Sequence, residues 1–155
     1  MDFRDTPEGA ENRRKVREFL EQHAELEKPD SGRGYRDGND DPAVLEKARK
    51  WQTIKANAGY AGITWPKEYG GQGGSPLEQI IYEQEESQFD VPRGNFFYIG
   101  LGWAMPTLFQ WSNKEEILKH SDKVLKGDEI WCQLFSDPAG GSDLAALRTK
   151  AERDG

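Results

Sequence analysis

The stretch from Trp131 to Ala145 holds the densest set of groups in this sequence that could do chemistry. An apolar run, Ile130 to Phe135, delivers a hydroxyl at Ser136, and an acidic-proline turn, Asp137-Pro138, leads into Gly140-Gly141-Ser142-Asp143. Glycine removes side-chain bulk and leaves backbone N–H groups open, while the two serine hydroxyls can donate and accept. Such parts suit a planar polar ring together with a phosphate. The competing reading is a capped turn opening a short helix at Ser142. It accounts for Ser142 and Asp143 but leaves the hydroxyl at Ser136 unexplained, and residue types alone leave the two readings open.

Other candidates are weaker. Gly70-Gly71-Gln72-Gly73-Gly74 precedes a helix start and could cradle an anion on successive N–H groups. No strand precedes it and no Lys-Ser/Thr pair follows, so a glycine turn is the better reading. Glu83, Glu85, Glu86 and Asp90 could pair as carboxylates, but on a helix they read as a solvated face. Cys132 shares a strand face with Ile130 and Leu134 and reads as a core thiol. His23 and His120 read as packing or helix-end residues, each without a partner in its own segment. One cysteine and two histidines offer no zinc-ligand spacing and no disulfide, and no metal site is expected.

The whole chain limits the possibilities further. Lys and Arg number 21 against 28 Asp and Glu, a formal charge of −7 with the cations interleaved among the acids, which disfavours nucleic acid as a partner. No apolar run approaches the ~20 residues that cross a bilayer, and the first 30 residues lack the apolar core of a signal peptide. A cytoplasmic protein is expected. Five tryptophans in 155 residues are far too many for a disordered chain.

The elements that carry these groups are mostly helical. Val16, Phe19, Leu20, His23 and Leu26 lie on one helical stripe that begins near Thr6-Pro7. Pro29 to Asp40 reads as an exposed loop, and Asp41-Pro42 caps a second helix with Val44, Ala48, Trp51, Ile54 and Ala58 on its stripe. Ser75, Pro76 and Glu78 form a capping box for a third helix reaching about Gln88. A fourth, apolar helix runs from Phe96 to Leu108, where Pro106 predicts a kink or break near Ala104. Asn113 and Glu116 cap a fifth that Gly127 stops. The period then changes to two: Ile130 to Phe135 reads as a strand apolar on both faces, and Leu147 to Ala151 as a second strand leading to a turn at Asp154-Gly155.

At the Ser136–Asp143 segment the sequence resembles the acyl-CoA dehydrogenases, whose signature reads approximately Cys-x-x-(Thr/Ser)-Glu-Pro-x-Ala-Gly-Ser-Asp followed by Thr-x-Ala. Here the stretch is Leu134-Phe135-Ser136-Asp137-Pro138-Ala139-Gly140-Gly141-Ser142-Asp143, with Thr149-Lys150-Ala151 behind it. Upstream, Trp65-Pro66-Lys67-Glu68-Tyr69-Gly70-Gly71-Gln72-Gly73, Glu85-Glu86, Met105-Pro106 and Gly127 fit as well. The departures are Asp137 for Glu, Ala139 and Gly140 with the small residues exchanged, Leu134 for Cys, and Ser112 for Gly.

The resemblance implies a mostly α fold with a short β segment: an up-and-down helical domain over residues 1–127, then the first strands of the family's middle β-barrel domain over residues 128–155. It implies an FAD-dependent oxidoreductase of lipid metabolism, of the kind serving fatty acid β-oxidation, that converts an acyl-CoA thioester to the α,β-enoyl-CoA. Gln133, Leu134, Phe135 and Ser136 would run along the flavin, and Gly141 and Ser142 would meet the FAD pyrophosphate, with Ser142 also at the acyl-CoA. The fourth helix would line part of the acyl pocket. In the family the catalytic Glu lies in a C-terminal helical domain, so no catalytic residue is expected in this stretch, and these residues alone are expected to be inactive. An electron-transfer acceptor protein and a homotetramer or related oligomer are the implied partners. The alternatives are a non-catalytic helical fragment or assembly partner chain that keeps the fold, and a nucleotide-binding module without redox chemistry.

Overall fold

Local capping chemistry determines where the helices begin. In the computed structural model, which describes residues 5–28, 42–92 and 96–153, the Thr6 hydroxyl accepts the Gly9 N–H at 3.1 Å and opens α1 (Pro7–His23). The Ser75 hydroxyl accepts the Glu78 N–H at 3.3 Å while the Glu78 carboxylate accepts the Ser75 N–H at 2.6 Å, completing the capping box of α3 (Pro76–Glu86). Asn113 accepts the Glu116 N–H at 2.9 Å at the start of α5 (Lys114–Lys126), and Gly127, at φ 81°, ends it. The second helix is α2 (Pro42–Asn57). The expected loop from Pro29, the Asp41 cap and the Asp154-Gly155 turn lie outside the described residues.

Two boundaries differ from the sequence pattern. The first helix ends at His23, because Ala24 is extended and the chain turns to run beside Phe89: Asp90 N–H donates to the Glu25 carbonyl at 2.8 Å and Glu27 N–H to the Gln88 carbonyl at 2.9 Å. Leu26 thereby leaves the stripe and is exposed. The fourth apolar stretch divides as Pro106 predicts, into a π-helical turn (Ile99–Ala104) and α4 (Met105–Trp111).

Packing follows the stripes. The helix α1 lies on α3, α2 lies on α5, and α4 and the π-helical turn also pack on α5. One core joins Val16, Leu20, Trp51, Tyr82, Phe89 and Val91, and a second joins Trp65, Met105, Ile117, Val124 and Leu125. Buried Gln52 donates to the Leu125 carbonyl at 2.8 Å and Thr53 to the Lys126 carbonyl at 3.2 Å, so α2 satisfies carbonyls that the end of α5 leaves open.

Of the four acids read as a solvated face, Glu83 and Asp90 are exposed, but Glu85 and Glu86 are not. Glu85 is buried, with Arg13 Nη1 at 2.9 Å and Arg17 Nε at 2.7 Å on its two oxygens, and this ion pairing fastens α1 to α3. Oε1 of Glu86 accepts Trp51 Nε1–H at 2.8 Å and the Tyr82 hydroxyl at 2.9 Å, with Lys55 Nζ at 3.5 Å. Helical periodicity along α3 alone does not show that two arginines and a lysine of other helices face these positions.

The expected β segment does not form among the described residues. Among the described residues no strand forms over residues 130–135 or 147–151, and only isolated bridges occur, Leu26 with Phe89 and Asp137 with Gly140. A strand takes its stability from the ladder with a neighbour and from the sheet's covered face. Neither stretch pairs with another described segment, and Leu134 is 89% exposed and Phe135 75%. Cys132 is likewise exposed rather than a core thiol.

Candidate functional site

The site segment is launched from α5. His120 sits between two carboxylates, its Nδ1 2.7 Å from Glu129 Oε2 and its Nε2 3.1 Å from Glu116 Oε1, so it does have a partner within its own helix. Its ring meets Trp131 edge-on at 5.3 Å. Together these contacts hold Glu129 and Trp131 against α5, two residues before Gln133. The hydrogen bond from His120 keeps the Glu116 carboxyl below its ordinary range; at Glu129 partial burial pushes upward, but hydrogen bonds from His120 and Lys123 outweigh it.

Beyond Trp131 the predicted residues lie in one exposed, irregular stretch. Gln133, Leu134, Phe135, Ser136, Gly141 and Ser142 are all exposed. Among the described residues no hydrogen bond occupies the side chains of Gln133, Ser136 or Ser142, so their polar groups are available to a ligand. The Ser136 hydroxyl lies beside Gly141, 3.6 Å from where a Cβ there would stand. Leu144–Ala146 forms a single 3-10 turn after Ser142, which matches the capped-turn reading in position.

Asp137 organises this stretch. Its N–H donates to the Gly140 carbonyl at 2.9 Å and its carbonyl accepts the Gly140 N–H at 3.0 Å, closing a tight turn. Its carboxylate accepts the Ala139 N–H at 2.9 Å, the Thr149 N–H at 3.1 Å and the Thr149 hydroxyl at 2.8 Å. These bonds, that from Ala139 first, hold the carboxyl below its usual range. An acid one methylene shorter than the Glu usual in the resembled signature thus ties the start of the segment to Thr149-Lys150-Ala151. Nothing in the residue pattern had singled out this role.

The glycine cluster carries no anion site. The N–H groups of Gly70, Gly71, Gln72, Gly73 and Gly74 donate to the carbonyls of Lys67, Pro66, Gly62, Trp65 and Ile63, at 2.7 to 3.1 Å. With every donor spent on the backbone, the cluster is a turn. Among the described residues no group of three or more His, Cys, Asp or Glu side chains is placed to hold a metal ion.

A cleft of about 400 Å³ opens between α2, α3 and the π-helical turn. Trp51, Tyr60 and Tyr82 form aromatic walls, the Lys55–Glu86 pair lies inside, and Tyr98 and Gly102 stand at an exposed rim.

Residues 6–128 match the family described as acyl-CoA dehydrogenase, N-terminal domain, which spans the helices, the glycine turn and the Glu129-proximal end of α5. The chain belongs to the acyl-CoA dehydrogenase family. Among relatives of this acyl-CoA dehydrogenase chain, acyl-CoA dehydrogenase FadE34 of Mycobacterium tuberculosis is 42% identical over 115 residues, covering 72% of this chain and 16% of the relative. Acyl-CoA dehydrogenase IpdE1 of the same organism is 34% identical over 113 residues, covering 72% of this chain and 29% of that protein. The solved steroid ACAD Tcur3481-Tcur3483 shares the fold at TM-score 0.66 with 29% identity, covering 100% of this chain and 38% of its own. The ChsE4-ChsE5 complex from Mycobacterium tuberculosis follows at TM-score 0.65 and 27% identity, covering 100% of this chain and 37% of its own. This acyl-CoA dehydrogenase chain therefore spans well under half the length of the relatives it matches. No described helix is long and apolar enough to cross a membrane.

Proposed function

We propose that these residues supply the N-terminal part of an FAD-dependent dehydrogenase that oxidises an acyl-CoA thioester to the α,β-enoyl-CoA. The observation that carries the reading is the segment from Gln133 to Ser142, in which the exposed side chains of Gln133, Ser136 and Ser142 form no hydrogen bond among the described residues, on a chain of the acyl-CoA dehydrogenase family. In this reading residues 1–127 form the helical domain and 128–155 begin the β domain. Gln133, Leu134, Phe135 and Ser136 contact the flavin ring, Gly141 and Ser142 its pyrophosphate, and Ser142 also the acyl-CoA. Bound FAD supplies the electron-accepting chemistry. The protein's own residues orient it: the Ser136 hydroxyl offers a hydrogen bond to the ring, and Gly141 clears the backbone for close approach.

Exposed apolar side chains on this segment, Leu134 and Phe135, suit a face that becomes covered when ring, substrate and partner surfaces assemble. The partners in this reading are an electron-transfer acceptor protein and further subunits in an oligomer, in a cytoplasmic setting. The solved neighbours named as steroid ACADs favour a ring-bearing acyl group over a short straight chain as substrate. The general base comes from residues outside Met1 to Gly155, so these residues by themselves give no turnover.

The test is the absorbance of the natively expressed protein. A flavin spectrum that bleaches on adding an acyl-CoA, with Ser136→Ala weakening flavin retention or slowing the bleach, supports the reading. A colourless protein that neither binds FAD nor reduces dye with acyl-CoA favours the non-catalytic assembly chain instead.

A further inference from the structure

We infer that His120 is a positioning residue for the flavin-contacting segment: its doubly protonated ring, braced between Glu116 and Glu129 and set edge-on to Trp131, fixes where the chain leaves α5 toward Gln133 and Ser136, so that flavin binding weakens as the ring gives up a proton. The inference rests on the dehydrogenase reading above and adds to it a residue that acts through the segment rather than on the flavin.

Both ring nitrogens face carboxylate oxygens, Nδ1 that of Glu129 at 2.7 Å and Nε2 that of Glu116 at 3.1 Å. A carboxylate only accepts, and a neutral imidazole has one N–H and one lone pair. The neutral ring therefore satisfies one carboxylate and sets a lone pair against the other, whereas the imidazolium donates to both. The charged groups around it are these two acids, with Lys119 3.5 Å from Glu116 and Lys123 3.2 Å from Glu129. The π-helical turn Ile99–Ala104 and α4, packed on the same helix, carry no titratable side chain. The other neighbours of α5 meet it elsewhere, α2 through Gln52 and Thr53 at its C-terminal end and the Lys67–Tyr69 turn through the Glu68–Lys114 pair at its start. Both carboxyls lie below their ordinary value of 4.5, Glu116 through the His120 hydrogen bond and Glu129 because its partial burial is outweighed by bonds from His120 and Lys123. Above about pH 5 the imidazole is thus the member of the trio whose charge changes.

What the ring holds is the last anchored point before the site. Trp131 meets His120 edge-on at 5.3 Å, packs on the core of Trp65, Met105, Ile117, Val124 and Leu125, and lies beside Gly100, where a Cβ would stand 3.5 Å from the indole. From Cys132 to Ser136 the chain makes no hydrogen bond among the described residues, and its next hold is the Asp137 turn with its tie to Thr149. Two residues of chain span at most ~7 Å, so the place of Trp131 constrains that of Gln133. A lysine at this position offers one point charge, whereas the imidazolium carries donors on opposite sides of a rigid ring and bridges the helix to the departing chain.

Two measurements test this. The full chain labelled with 5-fluorotryptophan reads the brace without flavin, Trp131→Phe identifying its fluorine resonance among the five. All proteins carry Cys132→Ser, which removes the one thiol of the sequence. Between about pH 5.5 and 8 the Trp131 resonance is expected to titrate, to lose that titration in His120→Gln, and to keep it in His23→Gln, the only other histidine, on α1. His120→Arg, a permanent cation with donors for two carboxylates, is expected to hold the low-pH position throughout. Titration of the apo-protein with FAD at about pH 6 and 8 gives the second readout. Affinity is expected to be about threefold weaker at the higher pH in the parent, and in His120→Gln to be equally weak at both. A Trp131 resonance insensitive to pH, or titrating unchanged in His120→Gln, overturns the inference. So does FAD affinity that is the same for the parent and a folded His120→Gln protein, and that result leaves the dehydrogenase reading standing. A parent that binds no FAD at either pH removes the dehydrogenase reading and this role with it.

Discussion

The indole N–H of Trp65 donates to the carbonyl of Leu101 across 3.2 Å, joining the glycine turn to the π-helical turn. In that turn the Met105 N–H bonds back to the Gly100 carbonyl, five residues earlier. The next residue in the same register is Pro106, which has no N–H to give to Leu101. The buried Trp65 takes up the carbonyl that proline leaves open. A π-helical turn at the cleft rim is thus stabilised from a segment 36 residues away in sequence.

Trp65→Phe keeps most of the buried ring but orphans the Leu101 carbonyl, and it is expected to lower stability by about 1–3 kcal/mol. Urea unfolding followed by circular dichroism measures the loss. A midpoint identical to that of the parent chain refutes the role of this hydrogen bond.

Glu85→Gln is expected to lower stability by about 2 kcal/mol, below the ~3–5 kcal/mol for breaking a fully buried pair, because both arginines can rehydrate. Their side chains are 29% and 43% exposed while that of Glu85 is 3% exposed. Arg17→Ala is expected to cost less, since Arg13 still pairs with the buried carboxylate. Chemical denaturation of the two variants side by side checks the order, and a larger loss from Arg17→Ala contradicts it.

The Asp137 tether is expected to depend on pH. Its carboxyl is held below the ordinary value of 3.8, so the tether's contribution is present above that value and is lost as pH falls further, through the lowered folded-state value. The amide resonance of Thr149 is expected to titrate with a midpoint below 3.8 and to lose that titration in Asp137→Asn. A midpoint at or above the ordinary value argues against the carboxylate bonds.

Two glycines are expected to respond oppositely to the same change. At Gly71 a Cβ would fall 2.1 Å from the Trp65 carbonyl oxygen, so Gly71→Ala forces the turn apart and is expected to cost at least the ~1–3 kcal/mol of an overpacked site. At Gly102, where a Cβ would meet only the Tyr98 ring at an ordinary contact distance of 3.5 Å, Gly102→Ala is expected to gain roughly 0.5–1 kcal/mol. Thermal melts of the two single variants decide both.

Much of the architecture follows from local chemistry that any chain with these residues would express. Thr6, Ser75 with Glu78, Asn113 and Gly127 define helix ends because caps act within three or four residues, and Pro106 interrupts its helix because it lacks a donor. The Ser136–Asp143 signature is likewise contiguous, so the family could be read from the sequence without a fold.

What the tertiary structure alone decided depends on partners distant in the chain. Glu85 is buried with Arg13 and Arg17 reaching it from α1, and half-buried Glu86 is partnered by Trp51 and Lys55 of α2. His120 gains Glu129 only once the chain folds back past Gly127, and the donors of Gly70 to Gly74 are spent only because Gly62 to Lys67 curl beneath them. The alternation of Ile130 to Phe135 records a capacity to pair, but a strand forms only against a neighbour, and none is present among the described residues. Periodicity reports which face of an element is apolar; which charges, carbonyls and rings meet that face is determined by the packing of elements far apart in sequence.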